Sequence, residues 1–158
     1  MDATLKQDFT RRISNSNRGE LIVVIYDIFF AYAKEARSAF EKKEYEEFKS
    51  SLRKAQQAVT QLKEGLDFRY PVAKELYPLY RFAQEQLASC FYRPDLTGLD
   101  AAEAVLKNLY VGFVEAAKQD SSEPLMKHTQ QVVAGMTYQR GSLTETLQDP
   151  SSSRGFFA

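Results

Sequence analysis

The fold is decided by residues 45–66, YEEFKSSLRKAQQAVTQLKEGL, where apolar side chains recur at alternating spacings of three and four. The positions that carry them are Tyr45, Phe48, Leu52, Ala55, Val59, Leu62 and Leu66. This spacing places one narrow apolar stripe along a helix, as in bundles whose helices cross at a shallow angle. The remaining positions are mostly charged or amide residues, so the pattern predicts a helix with one buried face and one solvated face.

A second stripe of the same kind occupies residues 99–116. Its apolar positions are Leu99, Ala102, Leu106, Leu109, Phe113 and Ala116. The stretch Thr97-Gly-Leu-Asp100 before it is typical of a helix start. We expect the Thr97 hydroxyl to accept a hydrogen bond from a first-turn amide, and Asp100 to complement the positive end of the helix dipole.

Two further helices are predicted, one before the first stripe and one between the two stripes. One spans about residues 18–40 and is opened by Asn17, with Glu20 three positions later, the spacing of a capping box. The other spans about residues 72–91 and is bounded by prolines on both sides. It also contains Pro78, and because an interior proline removes an amide and clashes one turn back, we expect a late or distorted start.

The joins between these helices are short, at residues 41–44, 67–71 and 93–98. Short joins make sequential helices antiparallel neighbours, so the predicted fold is all-α: an up-down-up-down four-helix bundle. Residues 1–15 add a short N-terminal helix. We expect a bundle domain over residues 1–120 and a C-terminal extension over 121–158, helical near 123–133 and then mobile, because Gly, Ser, Thr and Pro accumulate there.

The composition excludes several classes of protein. The 158 residues include 21 basic and 21 acidic ones, and a net charge of zero argues against nucleic acid as the main partner. The single cysteine, Cys90, forms no internal disulfide and suits a reducing compartment. The first residues lack the pattern of a signal peptide, and the most apolar window, residues 21–33, is too short to span a membrane. We therefore expect a cytoplasmic protein.

Residues that carry chemistry are scarce. The only histidine is His128, so the chain lacks the Glu-x-x-His pairs of a di-iron bundle, and it has neither a Cys-x-x-Cys motif nor a glycine-rich phosphate loop. Cys90 lies in an apolar row without a neighbouring base, as a structural cysteine does. The sequence therefore predicts no catalytic residue, no metal site and no cofactor.

Two of the predicted helices carry more apolar residues than one stripe needs. In the helix of residues 18–40, the first row is Leu21, Ile25, Ile28 and Tyr32, and the second is Ile22, Tyr26, Phe29, Phe30 and Ala33. The helix of residues 72–91 has a similar second row that includes Tyr77, Tyr80 and Leu87. Either these helices are central and covered by the terminal segments, or they leave an apolar groove for a partner's helix. Both explanations can hold together.

Four stretches of the chain, in order, resemble the flagellin-specific export chaperone family (FliS type). They are residues 13–27 with Glu20-Leu21 and Ile25-Tyr26-Asp27, residues 54–67 with Lys-Ala-Gln and Leu-Asp, residues 76–80 with Leu-Tyr-Pro-Leu-Tyr, and residues 109–116. The resemblance covers about residues 5–120. Pro78 and Phe113 depart from it, since the family has a helix former and tryptophan at these positions.

The resemblance implies a protein without catalytic activity that binds the C-terminal helical segment of flagellin, prevents its premature polymerisation and assists its delivery to the export apparatus. Joined to the surplus of apolar rows, it predicts six groove residues: Ile22, Tyr26, Phe29, Tyr77, Tyr80 and Leu87. It also implies that the N-terminal segment covers the groove through Leu5, Phe9 and Ile13. The alternatives are a generic helical adaptor or homo-oligomeric scaffold and, further off, a cofactor-binding bundle enzyme.

Overall fold

The structure, a computed structural model, describes residues 1–126, and the secondary structure in that part is entirely helical. The five helices are α1 (Ala3–Asn15), α2 (Arg18–Glu41), α3 (Tyr45–Glu64), α4 (Pro71–Tyr92) and α5 (Thr97–Gln119). The predicted fold class, four bundle helices preceded by a short helix, is confirmed. The apolar stripe of residues 45–66 lies along α3, except for Leu66 in the connection that follows, and the stripe of residues 99–116 lies in α5.

The four long helices alternate in direction. Along α2 and α5, the contacts Gly19 to Asp120, Asp27 to Tyr110 and Arg37 to Asp100 run in opposite sequence directions. Along α3 and α4, Thr60 meets Gln84, whereas the later residue Lys63 lies over the ring of the earlier residue Tyr77. Since α2 and α4 each pack against both α3 and α5, the helices form a ring with α2 and α4 on one diagonal.

The core of the bundle draws on every long helix. Its largest side chains with almost no solvent exposure are Tyr26, Tyr80, Phe29, Phe48, Leu52, Leu87, Leu99, Leu106 and Val59. Alanines at positions 33, 36, 55 and 83 are fully buried as well, and such small side chains let neighbouring helices approach closely. In residues 1–126, every buried side-chain nitrogen or oxygen has a hydrogen-bond partner, as expected for a well-packed interior.

Helix α1 folds back along α2 in the antiparallel direction. The amino group of Met1 lies 2.6 Å from a carboxylate oxygen of Glu35, and Arg12 reaches Asp27, fifteen residues later. Asp2 caps α1 by accepting a hydrogen bond of 2.7 Å from the Leu5 amide. Only one side chain of this helix is buried, so α1 contributes little to the core.

The start of α2 agrees with its sequence, whereas the start of α5 does not. Asn17 Oδ1 accepts a hydrogen bond from the Glu20 amide, and Glu20 Oε2 accepts one from the Asn17 amide, so the predicted capping box is confirmed. The prediction that the Thr97 hydroxyl caps α5 is wrong. Thr97 is already helical, and its own amide donates to Asp95 Oδ1 at 3.0 Å.

The expectation that Pro78 delays the start of its helix is wrong. Helix α4 begins at Pro71. Proline is favourable at this first-turn position because a backbone N–H there would have no acceptor within the helix. Pro78 lies inside the helix, about two turns after Pro71, and is exposed to solvent. The carbonyl of Lys74 loses its usual helical donor, and Lys74 is an exposed residue.

Beyond α5 the chain turns back against the start of α2. The Asn17 side-chain amide donates to the carbonyls of Asp120 and Ser122, Gly19 donates to Asp120 Oδ2, and the Leu125 amide donates to the Ser16 carbonyl at 3.0 Å. Residues 120–126 are not helical, and the rest of the helix expected near 123–133 lies outside the described residues. The predicted domain boundary at residue 120 stays a prediction.

Candidate binding groove

An apolar groove opens at one end of the bundle, where the N-terminal halves of α2 and α4 flank the C-terminal half of α3. Its volume is about 590 Å³. The apolar residues that line it are Leu21, Ile22, Ile25, Leu62, Leu66, Tyr70, Val72, Ala73, Leu76, Tyr80, Phe113 and Leu125. Arg18, Gln61 and Asp67 supply the polar groups of its wall, so its recognition surface is predominantly apolar.

Large apolar side chains of the α3–α4 connection and of the first turn of α4 form an exposed rim beside this groove. Tyr70 is 57% exposed, Val72 is 55% exposed and Phe68 is 52% exposed. The ring of Phe68 packs edge-on against that of Tyr77 with the centroids 5.8 Å apart, and Lys63 lies over the Tyr77 ring. Large apolar side chains clustered at an open groove are typical of a protein-binding surface.

The connection that presents this rim is held by its own polar contacts. Asp67 accepts hydrogen bonds from the Arg69 amide and from its guanidinium, at 2.6–3.0 Å. These hydrogen bonds, with a smaller contribution from the charge of Arg18, lower the pKa of the Asp67 carboxyl. Because Asp67 stays ionised and holds Arg69 in a turn, Phe68 and Tyr70 are directed out of the connection.

Beneath the groove, two buried tyrosines join the diagonal helices. Tyr26 Oη of α2 and Tyr80 Oη of α4 lie 2.8 Å apart. Tyr80 lines the floor of the groove although only 1% of it is exposed. Burial is the main cause that raises the pKa of both phenols, so both remain neutral hydrogen-bonding groups. At the floor of the groove, α2 and α4 are therefore joined by a buried hydrogen bond between neutral groups.

The structure separates the six predicted partner-binding residues into two groups. Tyr26, Phe29, Tyr80 and Leu87 have 0–1% exposure and belong to the core. Of these four, Tyr80 alone also lines the groove, as part of its floor. For these four, the explanation of the second rows as central packing agrees with their burial. Ile22 lines the groove, and Tyr77 is 37% exposed beside the aromatic rim. Contact between any of the six and a partner stays a prediction.

The three predicted cover residues are placed differently from the expectation. Phe9 is buried, at 7% exposure, whereas Leu5 and Ile13 are 37% and 36% exposed. Helix α1 lies over the seam between α2 and α5, and none of its residues lines the groove described above. Where α1 covers a surface, that surface is the α2–α5 seam, and its release from this seam by a partner stays a prediction.

Sequence reasoning misses most of the groove lining. Leu21, Ile25 and Val72 belong to apolar rows whose pattern predicts core positions. Leu66 ends the predicted stripe of residues 45–66, and Leu125 belongs to the helix expected near 123–133. A signal is present in the connection 67–70, where two aromatic residues lie among charged ones. Aromatic side chains in a short surface connection seldom have a core position to occupy, and this is a pattern typical of binding surfaces.

The described residues offer little else for chemistry. Within residues 1–126, no group of three His, Cys, Asp or Glu side chains could hold a metal ion. Cys90 is buried, its thiol lies 3.7 Å from the Gln86 carbonyl, and burial raises its pKa, so the reactive thiolate is disfavoured. His128 lies outside the described residues.

The part of the chain that the structure describes is thus an antiparallel helical bundle with an apolar groove, and none of its helices is long and apolar enough to cross a membrane. Residues 1–120 match the family model described as flagellar protein FliS, and the chain belongs to that family. The family is one of flagellar export chaperones rather than enzymes. A comparison with curated proteins gives no significant match.

Proposed function

We propose that this protein is a cytoplasmic export chaperone that binds the C-terminal helical segment of flagellin. It prevents premature polymerisation of that segment and assists its delivery to the flagellar export apparatus. The observation that carries the proposal is the open apolar groove between α2, α3 and α4 on a chain of the FliS family. The exposed rim of Phe68, Tyr70 and Val72 beside the groove supports it further.

The shape and chemistry of the groove suit an amphipathic helix. Helix-in-groove recognition places apolar side chains at positions i, i+3, i+4 and i+7 into a continuous apolar channel. The lining residues come from all four long helices, with Phe113 as the contribution of α5, and provide such a channel. The few polar groups lie at its wall. A partner that contributes side chains to a preformed groove needs no catalytic group in the chaperone, in agreement with the scarcity of reactive residues.

Calorimetric titration of the purified full chain with the C-terminal segment of a flagellin from the same organism tests the proposal. We expect a 1:1 complex with a large negative heat-capacity change, because coupled folding and binding typically buries about 1,000–3,000 Å². A well-folded chain that binds no flagellin segment at micromolar concentration contradicts it.

Variants of the exposed rim locate the binding surface without disturbing the core. Val72→Asp and Tyr70→Asp place a charge on side chains that are more than half exposed, so the fold tolerates them. Each should weaken flagellin binding by about tenfold or more, as expected when a contact residue of an apolar interface is replaced by a charge. The matched control is Val111→Asp, which introduces the same charge on a 70% exposed residue of α5 that does not line the groove.

A generic adaptor or homo-oligomeric scaffold gives a different result in the same measurements. If the groove serves self-association, the free chain scatters light as a dimer or larger species, and Val72→Asp makes it monomeric. If the groove serves flagellin, the free chain makes no self-contact through the groove. Val72→Asp then leaves the mass of the free chain unchanged and lowers only its affinity for flagellin. The affinity for flagellin and the mass of the free chain therefore separate the two functions.

A further inference from the structure

Asp27 is the only charged residue between Leu21 and Ala33, and both of its carboxylate oxygens are engaged. Tyr110 Oη of α5 donates to Oδ1 at 2.7 Å, and Arg12 Nη2 of α1 donates to Oδ2 at 2.5 Å. The side chain of Asp27 is 23% exposed and that of Arg12 is 33% exposed, so the ion pair lies partly under α1. One carboxylate therefore joins three helices.

Helix α1 occupies this place with two neighbouring side chains. Phe9 is its one buried residue, and the Arg12 guanidinium lies 5.7 Å from the centroid of the Phe9 ring. The two residues are three positions apart and therefore share one helical face. The α1 seat, which comprises Asp27, Tyr110 and the buried surroundings of Phe9, thus receives an aromatic ring followed three positions later by a cation.

The seat is incomplete once α1 leaves it. Asp27 then keeps its hydrogen bond from Tyr110 but loses its ion pair with the Arg12 guanidinium, and it remains on the apolar seam between α2 and α5. A partly buried carboxylate without its partner is unfavourable, since the remaining charge is poorly solvated and unpaired. Helix α1 buries only one side chain, and elements with few buried apolar contacts open at a low cost in free energy.

We propose that Asp27 and Tyr110 form a cation-recognising subsite, filled by Arg12 in the free chain and taken over by an arginine or lysine of the bound partner segment. The partner residue follows a large apolar residue by three positions, in a helix that lies antiparallel to α2 as α1 does. A segment that lacks this cation leaves Asp27 unpaired and is selected against. This proposal rests on the proposed function for the identity of the partner, but the subsite itself is testable without flagellin.

The first experiment uses the α1 sequence itself as the probe. The host is the full chain with Phe9→Ala and Arg12→Gln, which removes both side chains by which α1 occupies the seat and leaves Asp27 without its cation. The probe is a blocked synthetic peptide of residues 2–16, and its binding is followed by nuclear magnetic resonance. We expect the peptide with Arg12→Gln to bind about tenfold more weakly than the native peptide, the size of effect that a charge-assisted hydrogen bond supplies. A peptide with Arg11→Gln is the matched control, because Arg11 pairs with Asp8 of its own helix and is exposed.

The carboxylate is verified in the same experiment with Asp27→Asn added to the host. This exchange keeps the shape of the side chain and an acceptor for Tyr110 but removes the charge. The native and Arg12→Gln peptides should then bind equally. Equal binding of the two peptides to the host that retains Asp27, or no binding by either, overturns the subsite.

The second experiment transfers the test to the partner. Each lysine and arginine of the flagellin segment is changed to glutamine, and binding is measured to the native chain and to Asp27→Asn. One of these changes should weaken binding about tenfold to the native chain and less than twofold to the Asp27→Asn chain. The second effect is smaller because the Asp27→Asn chain has already lost the charged acceptor of this hydrogen bond. Equal effects on both chains at every position overturn the takeover by the partner. Loss of binding by every flagellin segment instead contradicts the proposed function, while the peptide experiment still decides whether the subsite exists.

A matched control for Asp27→Asn is Glu103→Gln. Glu103 of α5 forms an ion pair with Arg37 of α2, so the exchange removes a carboxylate that joins the same two helices. Arg37 lies almost three helical turns beyond Asp27 along α2, outside the α1 seat. The exchange should leave the difference between the native and Arg12→Gln peptides unchanged.

Discussion

Tyr26 Oη and Tyr80 Oη share a hydrogen bond of 2.8 Å across the diagonal of the bundle, between helices that are not ring neighbours. Both phenols are almost inaccessible to solvent, and the ring of Tyr26 also packs against those of Phe30, Tyr110 and Phe113. Each hydroxyl is thus the partner that satisfies the other. The pair fixes the distance between α2 and α4 at the floor of the groove.

Removal of one hydroxyl of this pair should destabilise the fold more than removal of both. Tyr26→Phe leaves the Tyr80 hydroxyl buried without its partner, at a cost of about 1–3 kcal/mol in the free energy of unfolding. The double variant with Tyr80→Phe removes the unpaired group and should recover part of that loss. Urea denaturation of the native chain, both single variants and the double variant gives the coupling energy. Additive effects of the two changes would show that the hydroxyls do not depend on each other.

The pH dependence of stability should report on Tyr110. Burial, followed by the hydrogen bond to Asp27 and its charge, raises the pKa of Tyr110 to about 12. The unfolded chain releases this proton near pH 10, whereas the folded chain retains it, so the contribution to stability is complete below about pH 10 and falls as the pH rises to about 12. Tyr110→Phe should therefore lose stability less steeply than the native chain across that interval, measured by urea denaturation at fixed pH values. Parallel curves for the two chains contradict the raised pKa.

Changes at Asn17 should separate the cap of α2 from the attachment of residues 120–125. The Oδ1 atom of Asn17 caps the helix, and its Nδ2 atom donates to the carbonyls of Asp120 and Ser122. Asn17→Asp keeps the capping acceptor but removes the donor, so hydrogen exchange should rise in residues 120–125 while the first turn of α2 stays protected. Asn17→Ala removes both and should lower the free energy of unfolding by about 2 kcal/mol.

The control for these changes is the comparison of hydrogen exchange in two places, the first turn of α2 and residues 120–125. If Asn17→Asp also accelerates exchange in the first turn of α2, the side-chain acceptor is not what protects the helix start. If exchange in residues 120–125 is unchanged, the hydrogen bonds from Nδ2 do not hold that segment.

The helices are predictable from the sequence because each is encoded locally. The stripe of residues 45–66 determines the buried face of α3, and Asn17 and Glu20 determine the start of α2 through contacts only three positions apart. The prediction of Thr97 as a cap is wrong because Leu96 takes the N-cap position and Thr97 is already helical, with its amide donating to the carboxylate of Asp95. Which residue takes the N-cap position depends on the backbone of the connection, which the pattern does not contain.

The placement of the groove depends on information that periodicity does not hold. Ile22 and Tyr26 lie in one apolar row of α2, yet one lines the groove and the other is fully buried. The difference depends on how the neighbouring helices pack against each position, which is a property of helix crossing rather than of any single helix. Periodicity identifies the residues able to be buried, and the neighbouring helices decide which of them remain accessible.

Two glycines in α5 should respond in opposite ways to substitution by alanine. A Cβ atom at Gly98 would lie 2.0 Å from the Gln86 carbonyl oxygen and 2.9 Å from Cys90 Sγ, so α4 and α5 could not approach as they do. Gly98→Ala should lower the free energy of unfolding by about 3 kcal/mol, as overpacking at a close helix contact does. A Cβ atom at Gly112 has no heavy atom within 4 Å, and Gly112→Ala should raise stability by about 0.5–1 kcal/mol through the better helix propensity of alanine. Thermal and urea denaturation of both variants measure this contrast. A Gly98→Ala chain as stable as the native one would mean that the packing of α4 against α5 is looser than its contacts indicate.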